Sequence, residues 1–249
     1  MTQGDRRQLV NIAILIAGLF VFWELAYLIV GDLAMRSPWS TLHFTAKLMG
    51  TDLFWQHLAE SMQAFVLALV IAVGLGLLIG FALALHKMSG DAMEPMLVAL
   101  YSIPKITLYP IILLAFGLGM SAKVAFGAIH GIIPVAMFTL NAVRATRPIF
   151  VKTGRVFNLS PAEMVRTILF PAAVPEIFTG IRVGFSLTLI GTVLGEMFAS
   201  QRGLGYLLMN AISLYNVDLI MAVTFLLCLF AAAVNTVLLV IDRRLHHGA

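Results

Sequence analysis

The sequence has 249 residues, of which 61% are apolar or aromatic and only 11% are charged. Its mean hydropathy is +0.99, whereas a soluble domain of this size carries about 25% charged residues. The composition therefore excludes an ordinary soluble enzyme, and it excludes a disordered chain more firmly still. The formal net charge of +4 does not indicate nucleic acid as a partner, because basic residues in so apolar a chain serve as topological anchors.

A helix that spans a bilayer needs about 20 apolar residues, and the chain contains six runs of about that length. They are Leu9–Val30, Ala64–Leu85, Met96–Leu118, Val124–Leu140, Ile177–Ala199 and Leu219–Ile241. The first run is longer than the roughly 7 to 15 apolar residues of a cleavable signal peptide, so we expect it to be retained. The sequence thus predicts an all-α, polytopic membrane protein with six transmembrane helices.

We expect one transmembrane domain over residues 1–249. Residues 1–60 supply the first span and an external segment whose aromatic side chains suit the membrane interface. Residues 61–245 form the core, and residues 141–176 form a long cytoplasmic loop.

The Lys and Arg residues indicate which side of the membrane each connection faces. With both termini inside, ten of them are cytoplasmic and four are external, while two lie within spans. The cytoplasmic ones are Arg6, Arg7, Lys87, Arg144, Arg147, Lys152, Arg155, Arg166, Arg243 and Arg244, and the external ones are Arg36, Lys47, Lys123 and Arg202. Cytoplasmic connections carry the excess of basic residues, so both termini are predicted to be cytoplasmic.

The second run carries small residues at a strict four-residue spacing: Ala64, Ala68, Ala72, Gly76, Gly80 and Ala84. Lipid gives helices no hydrophobic reason to associate, so close backbone approach along such a stripe must supply the packing. We expect Ala72, Gly76 and Gly80 to contact a neighbouring helix, and this span to be central in the bundle. The alternative is a chance run in a helix rich in Ala and Leu.

The cytoplasmic loop contains a signal for a helix start. Ser160 can cap the helix, Pro161 suits its first position, and Glu163 completes a capping box. Pro171 and Pro175 are expected to end this short helix before the fifth span. Such a helix either lies on the membrane surface or docks into a groove of a partner, and composition alone leaves both possibilities open.

Several short motifs occur between Asp52 and Arg244. They are Phe54-Trp55-Gln56-His57-Leu58, Ile103-Pro104-Lys105, Tyr109-Pro110, Phe116-Gly117-Leu118-Gly119, Ile168-Leu169-Phe170-Pro171, Thr179-Gly180-Ile181-Arg182, Gly195-Glu196 and Gly203-Leu204-Gly205-Tyr206. With these motifs the chain resembles the permease subunits of binding-protein-dependent ABC transporters, particularly the nitrate, sulfonate and taurine branch.

That family has a cytoplasmic motif in which Glu-Ala-Ala is followed by three residues, Gly, nine residues and Ile-x-Leu-Pro. Ile168 and Pro171 match its second half, whereas Lys152-Thr153-Gly154 replaces Glu-Ala-Ala and Asn158 replaces Gly. Asn tolerates the left-handed conformation that often requires such a glycine, so the turn can form. The resemblance implies that the loop couples to an ATPase through Gly154, Asn158, Leu159, Ser160, Pro161, Ala162 and Glu163.

The resemblance further implies a transport subunit of the bacterial cytoplasmic membrane that is not itself an enzyme. The expected partners are a second copy in a homodimer, two cytoplasmic ATPase subunits, an extracytoplasmic solute-binding protein and the lipid bilayer, with no nucleic acid. The expected solute is a small anion such as a sulfonate, taurine or nitrate, although related branches carry pyrimidine vitamin precursors.

The chain has no G-x-x-x-x-G-K-[ST] phosphate loop, so we expect no cofactor here, and ATP with Mg²⁺ in the partner ATPase. H-E-x-x-H and G-x-S-x-G are also absent and the histidines are scattered, so we expect neither a metal site nor an enzyme. An ATP-independent channel is the alternative from a different class.

Three charged residues within spans are candidates for the translocation path, because ionisable groups in a bilayer are costly. Lys105 lies deep in the third span, where the alternative to a substrate role is pairing with a carboxylate. Arg182 is close enough to the cytoplasmic end of the fifth span to reach the interface. Glu196, near the external end, either lines an outer gate or reaches water.

Overall fold

The computed structural model describes residues 3–247, without the side chains of residues 3–9, 199 and 247. The side chains of Arg6 and Arg7, which were assigned to the cytoplasm, therefore lie outside the described part. Within the described residues every regular element is a helix. The prediction of an all-α membrane protein is confirmed.

Eleven α-helices are found in the described residues. They are α1 Gln3–Val30, α2 Pro38–Met49, α3 Asp52–Leu85, α4 Lys87–Ser102, α5 Tyr109–Phe116, α6 Met120–Arg144, α7 Pro148–Val156, α8 Pro161–Met164, α9 Phe170–Ala199, α10 Leu204–Ser213 and α11 Val217–His247. A 3₁₀ turn, Lys105–Leu108, precedes α5, and a π turn, Val165–Leu169, joins α8 to α9.

Five helical segments in the described residues are long and apolar enough to cross a membrane, and a bent pair brings the number to six. The pair is α4 with the segment Lys105–Phe116, and its two parts meet at 90°. The predicted third span, Met96–Leu118, is therefore broken near its middle and is not one continuous helix. Ile103 and Pro104 are both extended, because a residue before proline avoids the helical region and proline has no N–H to continue the helix.

The chain forms two compact units, which are Met1–Gln56 with Leu207–Leu229, and His57–Tyr206 with Phe230–Ala249. In the first unit, Arg36 forms salt bridges to Asp32 at 3.1 Å and to Asp218 at 2.8 Å. Trp23 donates its indole N–H to the carbonyl oxygen of Arg36 at 3.0 Å. The proposed single domain with internal boundaries at residues 60 and 245 stays a prediction.

The second unit is built on α6, which packs extensively on α9. In its most apolar stretch 61% of α6 is buried, compared with 22% of α3. The expectation that the second span is central is therefore wrong, because α6 lies between other helices while α3 leaves most of its surface free. This burial explains why α6 folds as a long helix although its mean hydropathy of 1.6 is the lowest among the five long spanning helices described.

The small residues of α3 form its contact with α6. A Cβ atom added to Gly76 would lie 2.6 Å from Cβ of Val135, and one added to Gly80 would lie 2.5 Å from Cβ of Thr139. Ala72 is fully buried. Real Cβ atoms do not approach neighbours this closely, so the two backbones come together only because these side chains are absent or minimal.

Pro171 and Pro175 do not end the helix that begins at Pro161. The chain stays helical and apolar from Pro161 to Phe198, contrary to the expected break before the fifth span. Proline normally clashes with the carbonyl group four residues earlier. Here the wider π turn, Val165–Leu169, comes just before Pro171 and relieves that crowding, since a π turn shifts the backbone register by one residue.

We predict that Gly76→Leu and Gly80→Leu each lower the stability of the protein, because the leucine side chain would meet the backbone and side chains of α6. Overpacking of this kind costs about 1–3 kcal/mol or more. The yield of monodisperse protein and its thermal midpoint in detergent measure the effect. Gly74→Leu is the matched control, since no atom lies within 4 Å of a Cβ placed there. Equal behaviour of all three variants would contradict the packing described.

Candidate functional site

The cytoplasmic loop is a folded segment held against the start of the fifth span. Gly154 in α7 is buried, and a Cβ added there would lie 2.6 Å from Cε of Met164 and 2.8 Å from Cδ1 of Ile168. Met164 ends α8 and Ile168 lies in the π turn. A larger residue at position 154 would displace the ends of the Met164 and Ile168 side chains.

A Schellman motif ends α7. The N–H of Leu159 donates to the carbonyl oxygen of Gly154 at 3.0 Å, and the N–H of Asn158 donates to that of Arg155 at 3.0 Å. Between them Asn158 has a φ of 52°, the left-handed conformation that this motif requires after the last helical turn. Asn therefore occupies the backbone position for which the family pattern has Gly.

The capping box predicted at the start of α8 is present. Ser160 Oγ accepts a hydrogen bond from the N–H of Glu163 at 3.3 Å, and Glu163 Oε2 accepts one from the N–H of Ser160 at 2.8 Å. Pro161, Ala162 and Glu163 are all exposed. The tip of the loop is thus rigid in its backbone while its side chains are free to contact another protein.

Lys105 lies in the 3₁₀ turn between α4 and α5, at the break in the third predicted span. Its ammonium group donates to the carbonyl oxygen of Tyr101 at 3.1 Å and lies 5.2 Å from the centre of the Tyr101 ring. No salt bridge of Lys105 occurs among the described residues, so the alternative of a carboxylate partner is not seen there. Its role in the translocation path stays a prediction.

Arg182 contacts α11. Its Nη2 atom lies 3.6 Å from Oδ2 of Asp242, and Thr179 donates to Oδ1 of the same carboxylate at 2.9 Å. Asp242 is buried, so the pair links the two helices near their cytoplasmic ends. Arg182 therefore has a structural role in joining α9 to α11. Its role in the translocation path stays a prediction.

Glu196 is completely buried, so of its two alternatives the one in which it reaches water is wrong, and its role at an outer gate stays a prediction. Its Oε2 atom accepts hydrogen bonds from Ser61 Oγ at 2.7 Å and from the N–H of Gly205 at 2.9 Å. Its Oε1 atom has no hydrogen-bond partner and lies 3.8 Å from Nζ of Lys123.

Lys123 connects Glu196 to a second carboxylate. It is 1% exposed, and its Nζ atom lies 2.9 Å from Oε1 of Glu60. Sequence reasoning placed Lys123 in an external connection and assigned no role to Glu60 or Ser61. Lys123 is 63 residues from Glu60 in the chain, and only the presence of these polar residues in otherwise apolar helix ends could have drawn attention to them.

A depression of about 620 Å³ lies beside this cluster. Its lining residues are Glu60, Leu118, Gly119, Phe198, Ser200, Gln201 and Arg202. We call this depression the outer cavity. Glu60 belongs both to its wall and to the ion pair with Lys123, so the buried cluster is directly behind the cavity surface.

The sequence matches known transport proteins over most of its length. Residues 72–248 match the family described as the inner membrane component of binding-protein-dependent transport systems. The taurine transport system permease protein TauC of Escherichia coli is 27% identical over 97% of this chain and 90% of its own length. The formylaminopyrimidine transport permease protein ThiX of Halalkalibacterium halodurans is 27% identical over 76% of this chain and 75% of its own.

A solved structure has the same fold. The structure of an amino acid ABC transporter with histidines contains a chain that superposes with a TM-score of 0.63. The match covers 81% of this chain and 98% of that one at 20% sequence identity. At this identity the likeness establishes the helical architecture.

We predict that Asn158→Val disrupts the turn between α7 and α8, whereas Asn158→Gly preserves it. A β-branched residue in the left-handed region costs roughly 1–2 kcal/mol, while glycine adopts that region freely. Hydrogen exchange of the amides of residues 157–160, 162 and 163 should be faster in Asn158→Val and unchanged or slower in Asn158→Gly. Identical exchange in both variants would mean that the turn does not depend on this conformation.

Proposed function

The chain belongs to the inner membrane components of binding-protein-dependent transport systems, and from this premise we propose that it is the permease of an ABC importer for a small anion. The observation that carries the proposal is the exposed, capped loop tip continuous with a spanning helix. A subunit driven by another protein needs such a surface on the side where the driving force acts.

We propose that two copies of the chain form a homodimer around the path and that each loop contacts one of two cytoplasmic ATPase subunits. A solute-binding protein delivers the substrate on the external side. ATP and Mg²⁺ are bound by the ATPase subunits, and this chain holds no cofactor or metal. The excess of basic residues in the predicted cytoplasmic connections supports this orientation.

In this proposal the segment from Gly154 to Glu163 is the coupling element. Contact between Gly154 and Met164 joins α7 to α8, and the helix then continues through the π turn into α9. A displacement of the tip by a closing ATPase therefore moves the fifth span directly, because no flexible connection intervenes. Lys105, Arg182 and Glu196 remain the candidates for residues that respond along the path.

The proposed substrate class rests on the similarity to TauC, whose name specifies taurine. ThiX, which is named for formylaminopyrimidine, has the same identity over a shorter stretch, so a pyrimidine vitamin precursor is the second candidate. An ATP-independent channel is disfavoured by the ordered loop tip, which a channel has no need to maintain.

The transporter reconstituted with its ATPase and binding protein tests the proposal. The ligand panel consists of taurine, methanesulfonate, nitrate and formylaminopyrimidine, each added with the binding protein while ATP hydrolysis and uptake are measured. We expect one of the first three to stimulate hydrolysis and uptake several-fold. Stimulation by formylaminopyrimidine alone would support the second candidate. Uptake that proceeds without ATP would contradict an importer altogether.

We predict that Ala162→Glu uncouples the permease from the ATPase without unfolding it. Residue 162 is exposed, so the protein itself tolerates the charge, whereas an unpaired charge in a packed contact between subunits is strongly unfavourable. Membrane abundance should be normal, ATPase copurification should fall, and stimulated hydrolysis should drop about tenfold.

Met88→Glu is the control for this variant, because it adds the same charge at an exposed position in α4. We expect it to retain copurification and hydrolysis. A helix that merely rests on the membrane surface would lose little from one glutamate. Full retention of both activities by Ala162→Glu would remove the loop tip from the coupling contact.

A further inference from the structure

The external end of the second unit contains a buried polar network. Packing of apolar helices does not by itself require such a network. Glu196, Ser61 and Lys123 are 0%, 3% and 1% exposed. Burying charged groups is unfavourable unless they are paired and hydrogen-bonded. Because this network is costly to bury in so apolar a protein, we expect it to fix the position of a neighbouring segment.

The segment that this network holds is residues 200–205, which comprises the connection after α9 and the first two residues of α10 and which we call the outer loop. Ser61 Oγ accepts a hydrogen bond from the N–H of Leu204 at 2.7 Å and donates one to Glu196. Glu196 accepts a second from the N–H of Gly205. Lys123 donates to the carbonyl oxygen of Arg202 at 3.3 Å and to Ser200 Oγ at 3.4 Å. Three backbone groups and the Ser200 hydroxyl are thus hydrogen-bonded to side chains from three helices.

Gly203 shows how closely the outer loop is drawn onto the network. Its φ of 120° lies in a region that side chains avoid, and a Cβ there would overlap the Glu196 carboxyl group. The N–H of Gly203 also donates to Nδ1 of His57 at 3.0 Å. These contacts hold the outer loop in one conformation while the network is intact.

The network also has a connection to the outer cavity. Glu60 lines the cavity, and its carboxylate is the near partner of Lys123, at 2.9 Å compared with 3.8 Å for Glu196. Ser200, Gln201 and Arg202 of the outer loop complete the same wall. Whatever occupies the cavity contacts the loop and the carboxylate that fixes Lys123.

The position of Glu196 along the chain links this network to the cytoplasmic side. Glu196 and the capped tip at Pro161 belong to the same helical stretch, Pro161–Phe198. Their separation of 35 residues corresponds to roughly 52 Å at 1.5 Å per residue, which is more than the thickness of a bilayer. A movement of the tip is therefore transmitted to Glu196 through continuous helix.

We propose that Glu196 and Ser61 are positioning residues for transport, which form a latch that holds the outer loop as one wall of the substrate entrance. The latch ties the position of this wall to that of α9, so that movement of the coupling tip and movement of the outer loop accompany each other. This inference rests on the proposed importer function. In this inference the Glu196 carboxylate positions the outer loop and does not contact the substrate directly.

Ser61→Ala tests the latch, because it removes the hydroxyl group that joins Leu204 to Glu196 while leaving Lys123 and Glu60 in place. The reconstituted transporter is assayed with the panel ligand that stimulates the wild type. We expect stimulated hydrolysis and uptake to fall about tenfold, while basal hydrolysis changes less than twofold. Thr192→Val is the matched control, since it removes a buried hydroxyl one turn away that bonds only within α9.

A second measurement follows the outer loop itself. Leu204 is 3% exposed, so a cysteine in Leu204→Cys, with Cys228 replaced by serine, should react slowly with a small maleimide in membranes. Adding Ser61→Ala should raise that rate at least tenfold, and adding Thr192→Val should leave it unchanged. A merely structural loss would instead lower the membrane abundance and basal hydrolysis of Ser61→Ala.

Two variants of Glu196 separate hydrogen bonding from charge. The amide oxygen of Glu196→Gln can still accept from Ser61 and Gly205, so we expect at least half of the stimulated hydrolysis to remain. Glu196→Ala removes the acceptor and should lose about tenfold. Retained stimulation and slow labelling in both Ser61→Ala and Glu196→Ala would overturn the latch. A wild type that no panel ligand stimulates would overturn the importer proposal, and the latch with it.

Discussion

Close approach of helix backbones to α6 is the constraint on which the second unit depends. Lipid tails are as apolar as the side chains facing them, so helices in a membrane gain little from hydrophobic burial and must gain from contact. Gly76 and Gly80 bring α3 onto α6, and Gly184 of α9 faces Val135 of α6 at a distance that leaves no room for a side chain. The same residue of α6 is thus contacted from two helices, which fixes their spacing.

The ion pairs of this unit are arranged around the same helix. Lys123 in the first turn of α6 pairs with Glu60, and Arg144 at its last residue pairs with Asp91 at 2.8 Å and Glu94 at 3.0 Å. The separation of 21 residues from Lys123 to Arg144 corresponds to roughly 31 Å of helix, which matches the hydrocarbon thickness of a bilayer. Each end of α6 therefore carries its charge where water or headgroups moderate the cost of burying it. The apolar stretch between the two ends is held by close packing against the neighbouring helices.

The sequence predicts those features that depend on local chemistry. The spans follow from apolar run length, the capping box from the order of Ser160, Pro161 and Glu163, and the left-handed turn from the tolerance of Asn158. It predicts poorly what depends on contacts between distant segments. The continuation of the helix through Pro171 and Pro175 requires the π turn before them, and no residue type signals a π turn. The pairing of Lys123 with Glu60 joins positions 63 residues apart, for which a single sequence holds no evidence.

The centrality of α6 is the clearest case in which composition misleads. The second run is the most apolar, and its small residues are regularly spaced, yet hydropathy reports how well a helix tolerates lipid and not how much protein surrounds it. A helix enclosed by others need not be very apolar, and α6 accordingly contains Lys123, His130 and Thr139 among its buried residues. Each of these side chains finds a partner in the protein. In a bundle of this kind the least hydrophobic span is the one to expect at the centre, because only there are polar side chains kept away from lipid.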